Sequence, residues 1–307
     1  MHIKSSGGME ADGECTSEKE PPTFDLQSHS HHSDGVLAPG AVVAAAAQAG
    51  VELLALTDHD TVDGVQEATS AARALGLALI AAVEISANDA GQHDVHVLGY
   101  LIDARDETLS ARLSGYRGER GRRAQAMAEA LRELGFELDE GWLRERAASG
   151  RSVGRPHLAQ AVVGAPGNAQ RLTAEGCLGA SAFLEAYLIE GRPAFIPRQA
   201  PSVANAIEAI HDAGGLAVWA HPFWDVQDPR AVLDAIDRFR SCGLDGVECF
   251  YATHLRDQAV LLADRCAELG LLSTGSADFH GPCHPRFSRF RAFSTFGRGA
   301  VLGPIAG

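Results

Sequence analysis

The sequence predicts an α/β barrel carrying an inserted helical lobe, and three observations carry that prediction. Short apolar runs alternate with helical patterns toward both ends of the chain, the alternation stops between residues 105 and 190, and residues able to bind metal gather where apolar runs end. Alternation of this kind is the βα rhythm of a mostly parallel sheet.

In order, FDLQSHS opens the first strand and an Ala-rich helix runs from Pro39 to Ala49. VELLALTDHD supplies the second strand, a helix follows from Val62 to Leu75, LALIAAVEIS is the third strand, and DVHVLGYLI adds a fourth near 94–102. Residues 105 to 190 then read as helices only, including a long Arg-rich one through RGRRAQAMAEALRELG, closed by Gly135. Glycine suits that position because it adopts the left-handed conformation that ends helices. The rhythm resumes with the helix VANAIEAIHDAG, the strand GLAVWAHP, the helix AVLDAIDRFRSCG, the strand LDGVECF, the helix LRDQAVLLADRCAELG and the strand LLSTGSADFH. Seven strands in this order suggest a barrel. The expected organisation is a disordered leader over 1–23, a discontinuous barrel over 24–104 and 191–290, the helical lobe over 105–190, and a tail over 291–307.

Composition narrows the function classes. With 46% hydrophobic and 21% charged residues over 307 positions the chain is ordinary globular protein. The formal charge of −14 argues against a general duplex nucleic-acid surface, which works through clustered Lys and Arg. The charge is unevenly spread. Residues 105 to 195 hold 13 Arg, no Lys and 12 acidic residues, a net of +1, against −15 for the remainder. Six cysteines without a CxxC pair indicate reduced thiols rather than a disulfide framework or a thiolate zinc site. No apolar stretch approaches the ~18 residues of a membrane span, so a cytoplasmic protein without a membrane partner is expected.

Asp25, His29 and Asp34, then Asp58 and His59, then Glu84, His96, His221, Asp278 and His280 all fall at or just after predicted strand ends. In a parallel barrel those ends share one face, where residues distant in sequence converge. Imidazole and carboxylate donors suit Zn²⁺, Mn²⁺ or Fe, and so many donors exceed the needs of one ion. One such residue alone would more often be a surface His or an Asp capping a helix; the repetition at separate strand ends is what points to a multinuclear centre.

The segments DLQSHSHHSDG (25–35), ALTDHDTVDG (55–64), AAVEIS (81–86), HVLGY (96–100), VGRPHLAQAVV (153–163), GGLAVWAHP (214–222), LDGVECFY (244–251) and TGSADFHG (274–281) together resemble the PHP family of metal-dependent phosphoesterases. The branch they resemble contains the 3′,5′-nucleoside bisphosphate phosphatases, and the likeness runs from about Phe24 to Gly281. It implies a distorted (β/α)7 barrel with two or three divalent ions, manganese first among them and zinc or iron as alternatives. It implies metal roles for His29, Asp34, His59, Glu84, His96, His221, Asp278 and His280, with Glu84 bridging two ions. Hydrolysis would proceed through a metal-bound hydroxide, with Glu84, Asp278 and His280 as catalytic residues. The implied substrate is small and phosphorylated: a 3′,5′-nucleoside bisphosphate or the 5′ end of a short oligonucleotide. A sugar phosphate, a cyclic phosphate or histidinol phosphate is the alternative, and a degenerate barrel that binds phosphorylated ligands without turnover is another.

One position departs from the family, which begins with an HxH pair; here the first member is Gln27. A neutral carbonyl oxygen is a poorer partner for such metals than imidazole, so one metal position should be weak. His31 has the same strand parity as Gln27 and His29, so a shifted His29/His31 pair is the competing reading. In the lobe, Gly154 and Pro156 place backbone amides at a helix start where an anion can sit, and Arg155 adds a planar fork for phosphate oxygens. The bland reading is a capped surface helix; the resemblance implies Ser152, Arg155 and His157 as substrate-binding residues. Arg117, Arg120, Arg122 and Arg123 read as a solvated helix face, Arg198 as a weaker phosphate contact, and Cys283 and His284 as part of a flexible loop.

Overall fold

The computed structural model describes residues 22–89, 92–148, 153–197 and 200–307. Seven strands form one sheet in sequence order: β1 (Phe24–Asp25), β2 (Leu53–Leu56), β3 (Ala78–Asp89), β4 (Gln92–Tyr100), β5 (Leu216–Trp219), β6 (Gly246–Tyr251) and β7 (Leu272–Ser276). The sheet nearly closes on itself. Leu26 donates its amide to the Gly275 carbonyl at 3.2 Å, and Ser28 bridges Phe279 in parallel. This is the expected seven-stranded barrel with one change of direction: β4 is antiparallel to both β3 and β5. Strands β3 and β4 are joined by a short connection, as only antiparallel neighbours can be.

Around the barrel lie α1 (Pro39–Gln48), α2 (Val65–Leu75), α8 (Val203–Asp212), α10 (Pro229–Ser241) and α11 (Arg256–Leu269), with a short α9 (Pro222–Asp225) after β5. The second helix therefore begins three residues later than the sequence pattern suggests. Between β4 and α8 stand only helices among the described residues: α3 (Glu107–Glu133), α4 (Glu140–Ala148), α5 (Arg155–Gly164), α6 (Ala169–Ala174) and α7 (Ala180–Tyr187). These helices bury their own core, including Met127, Leu131, Leu158, Val162 and Phe183. Gly135 follows α3 with φ +84°. The last residues pack back on the barrel: Val301 pairs with Ser273, and Ile305 is fully buried beneath the strands.

Strand alternation explains how one barrel has an apolar floor and a polar mouth. Along β3, Val83, Ile85 and Ala87 face the outer helices while Ala82, Glu84 and Ser86 take the opposite face. Antiparallel pairing places Ser86 opposite His96 and Glu84 opposite Leu98, so Tyr100, Leu98 and His96 climb the same interior from floor to mouth. Tyr100 is wholly buried and donates its hydroxyl to the Leu26 carbonyl at 2.9 Å.

Candidate metal centre and cleft

Glu84 and His96 sit inside strands rather than at their ends. β4 runs against its neighbours, and its functional residue His96 is the middle one of its nine. Around the wholly buried Glu84 carboxylate the predicted donors converge. His96 Nδ1 lies 2.7 Å from Oε1 and His221 Nε2 3.3 Å from it; His29 Nε2 and His59 Nδ1 lie 3.1 and 3.5 Å from Oε2. His29 Nε2 is also 3.0 Å from Asp278 Oδ1. Asp34, one-third exposed, stands 3.6 Å from both His29 and His59 and 3.5 Å from His280. Two donor groups have spacing suited to a cation: His29, Asp34, His59 and His280, and His59, Glu84 and His96.

Strained backbone aims several of these groups. His221, Asp278 and Asp60 have φ of +31°, +54° and +52°, a conformation costing about 1–3 kcal/mol for residues other than glycine. In the turn that presents Asp34, a Cβ on Gly35 would stand 2.2 Å from the His29 carbonyl oxygen, so only glycine fits. Asp58 accepts from Ser30 N, Ser30 Oγ and Ser33 Oγ within 2.6–2.7 Å, and Asp25 accepts from the amides of Ala277 and Arg291. Those two carboxylates fasten loops and are outside both donor groups.

The electrostatics are those of a cation site. Burial pushes the Glu84 carboxyl up, but His59, His96, His221 and His29 outweigh it and hold it well below the usual carboxylate range. Burial likewise opposes Asp278, yet His280 and His29 bring it to about 2. Burial drives His59 down to about 3 against the pull of Glu84 and Asp34, leaving a neutral imidazole. At the centre, the buried His29 Nε2, His59 Nδ1 and Asp278 Oδ1 make no aligned hydrogen bond. Unpaired polar atoms are costly unless something binds them. Divalent ions fit this set: nitrogen and oxygen donors, no thiolate, and lone pairs turned inward. His280 Nδ1 lies 2.7 Å from the Asp278 carbonyl, which can only accept, so its proton sits there and the Nε2 lone pair is left to face a cation.

Four of the donors, Asp34, His59, His96 and His280, line one wall of a cleft of about 430 Å³. The facing wall comes from the helical lobe: Arg120 and Arg123 on α3, and Gly154, Arg155 and His157 at the start of α5. His157 Nδ1 accepts the Gly154 amide at 3.0 Å, capping that helix. The sequence expectation for the α3 arginines needs correction. Arg120 reaches into the cleft and donates to Asp60 Oδ2 at 3.0 Å and Ser86 Oγ at 2.8 Å; Arg123 donates to the Ile196 carbonyl. Arg117 donates to the Asp60 carbonyl at 2.9 Å, and Arg122 stays on the solvated face, paired with Glu119. His284 is not in a loose loop either: it stacks on His280 and Phe287 and lines the cleft. His31 packs against His32 and belongs to neither donor group, so it has not replaced Gln27. Ser152 and Arg198 lie outside the described residues.

Trp224, Phe287 and Glu248 carried no sequence-level role. Trp224 and Phe287 line the cleft. Glu248 is buried under the centre, where burial raises its carboxyl to about 8; it accepts the His221 amide at 3.0 Å and lies 2.6 Å from Ser276 Oγ. Its one available signal was an acidic residue inside an otherwise apolar strand. Among the described residues no helix is long and apolar enough to cross a membrane.

A barrel whose mouth gathers buried imidazoles and carboxylates opposite an arginine-lined wall defines a metal-dependent enzyme acting on phosphorylated compounds. Comparison with known proteins gives the family. The PHP domain model matches residues 25–138. A 5′-3′ exoribonuclease of Haemophilus influenzae is 34% identical over 260 residues, covering 85% of this chain and 90% of that protein. A 3′,5′-nucleoside bisphosphate phosphatase of Chromobacterium violaceum is 31% identical over 259 residues, covering 84% and 87%. A crystal structure from Bifidobacterium adolescentis, described as a metal-dependent phosphoesterase, superposes with a TM-score of 0.72 at 31% identity, covering 87% and 91%. This chain belongs to the PHP family of metal-dependent phosphoesterases and is a hydrolytic enzyme.

Proposed function

We propose that this enzyme removes a phosphate from a 3′,5′-nucleoside bisphosphate or cleaves at the 5′ end of a short oligonucleotide. The observation that carries the reading is the two-sided cleft, with metal donors on the barrel wall and Arg120, Arg123 and Arg155 on the other. A substrate with two phosphates uses both walls at once: one phosphate faces the donors while the other is gripped by guanidinium forks. The names of the two relatives support this, one a bisphosphate phosphatase and one an exoribonuclease.

In this reading His29, Asp34, His59, Glu84, His96, His221, Asp278 and His280 hold two or three divalent ions, with manganese first in order and zinc or iron as alternatives. When bound, such ions supply Lewis acidity that offsets charge building on the phosphoryl oxygens and activates water. Glu84 sits centrally and orients four imidazoles. Asp278 and His280 orient each other, the His280 Nδ1 proton being held on the Asp278 backbone carbonyl. Arg155 and His157, with Ser152 beside them in sequence, grip the second phosphate. Arg120, paired with the buried Asp60, adds a further cationic group on the lobe wall.

The test is phosphate release from a 3′,5′-bisphosphate, its 5′-monophosphate, a 5′-phosphorylated trinucleotide and a sugar phosphate, before and after chelation. The expected result is turnover abolished by chelator and at least about ten-fold higher kcat/KM on the substrates with two phosphates than on the monophosphate. Equal turnover of the sugar phosphate and the bisphosphate would contradict the substrate class.

A further inference from the structure

Gln27 is 1% exposed and sits against the centre with its carboxamide held at both ends. Its Nε2 donates to Glu84 Oε2 at 3.0 Å, and its Oε1 stands 3.3 Å from Ser276 Oγ. A carboxylate accepts and never donates, so the NH2 end must face Glu84. An NH2 group cannot bind a cation. Beside it, His29 Nε2 and Asp278 Oδ1 stand 3.0 Å apart, neither with an aligned hydrogen bond, and His29 Nε2 is 3.1 Å from Glu84. Three donors therefore surround a position at which Gln27 presents the wrong end.

We propose that Gln27 makes the cation position among His29, Glu84 and Asp278 a low-affinity one, filled last, because its carboxamide must turn over before its oxygen can serve as a ligand. The far end of the side chain permits that reversal. Ser276 Oγ lies 2.6 Å from Glu248 Oε1, so its hydroxyl can give its proton to Glu248 and accept from the reversed NH2. A histidine at this position would be a ligand in any state; a glutamine is a ligand in one of two. The centre then has two resident ions, matching the two donor groups that exclude Gln27, and a third whose binding follows the free metal concentration.

This inference rests on the metal-centre reading above, and its test counts ions rather than turnover. Wild-type protein, Gln27→His and Gln27→Leu are loaded with Mn²⁺, dialysed, and analysed for bound metal; each is then titrated calorimetrically with Mn²⁺. Folding is checked by circular dichroism. Wild type should retain two ions per chain and bind a third at least about ten-fold more weakly, the scale on which ligand replacement acts. Gln27→His should retain three, and Gln27→Leu should keep two and show no third binding event. Three equally tight ions in wild type would overturn the proposal, as would a Gln27→Leu protein that binds the third ion like wild type. Wild type retaining no ion at all would instead sink the metal-centre reading itself.

Discussion

The barrel wall of the cleft holds its side chains by full burial, whereas the lobe wall holds its own by hydrogen bonds at half-buried positions. Glu84 and His29 are wholly buried, and each is touched from several strands at once. The Arg120 side chain is 20% exposed, Arg123 rests on the Ile196 carbonyl and His157 on the Gly154 amide. A buried polar group is confined to the few arrangements that keep its donors and acceptors paired. Exposed pairs are worth little and rearrange easily. The difference matches two tasks: reacting groups need fixed distances, and a wall that admits and releases a charged substrate needs adaptable ones.

The most damaging change should be Glu84→Gln, because it removes the charge on which four imidazoles converge. Bound metal should fall to a minority of the wild-type amount, and kcat should drop by at least about two orders of magnitude on every substrate. Near-normal kcat would show that the barrel wall does not work as one unit.

Second is the stability of the barrel side. Burial presses His254 down to about 4, with its Nδ1 3.0 Å from the Cys249 carbonyl. Its unfolded value is near 6.5, so folding favours the neutral form: the stability is present in full above pH 6.5 and is lost as the pH falls through 4. The loss should be about 3 kcal/mol. Denaturant melts between pH 7 and 4 should show this slope in wild type and a shallower one in His254→Asn, which keeps a donor for Cys249 but cannot titrate. An identical slope in both would remove His254 as its source. The smallest effect belongs to the lobe surface. Arg122→Ala, at an exposed pair, should leave kcat/KM within about two-fold, and a large loss would mean that the outer face of α3 meets substrate after all.

How far this was readable beforehand depended on the kind of residue. Strand and helix alternation sufficed for the seven strands and the helical lobe, and the eight donors converge although they span residues 29 to 280. The reversal of β4 was not legible, because a strand buried on both faces carries no mark of direction. Arg120 was misread because a helix of 27 residues with arginines on several faces does not reveal which one turns inward. That depends on Asp60, whose positive φ places it under the guanidinium. Glu248 escaped because its partners, the His221 amide and Ser276, come from segments distant in sequence, and hydrogen bonds across a barrel leave no trace in spacing. Gln27 was visible as a departure from a pattern, while its two hydrogen bonds, and hence its orientation, required the fold.

The division of labour between the walls is tested most directly by Arg155→Ala, measured on a 3′,5′-nucleoside bisphosphate and on an aryl phosphate that lacks the second phosphate. Loss of a charge-assisted contact should lower kcat/KM on the bisphosphate by about 10- to 100-fold. On the aryl phosphate it should stay within about two-fold of wild type, and metal content should be unchanged. Equal losses on both substrates would contradict the account, because Arg155 would then be supporting the lobe or the chemistry rather than holding the phosphate that does not react.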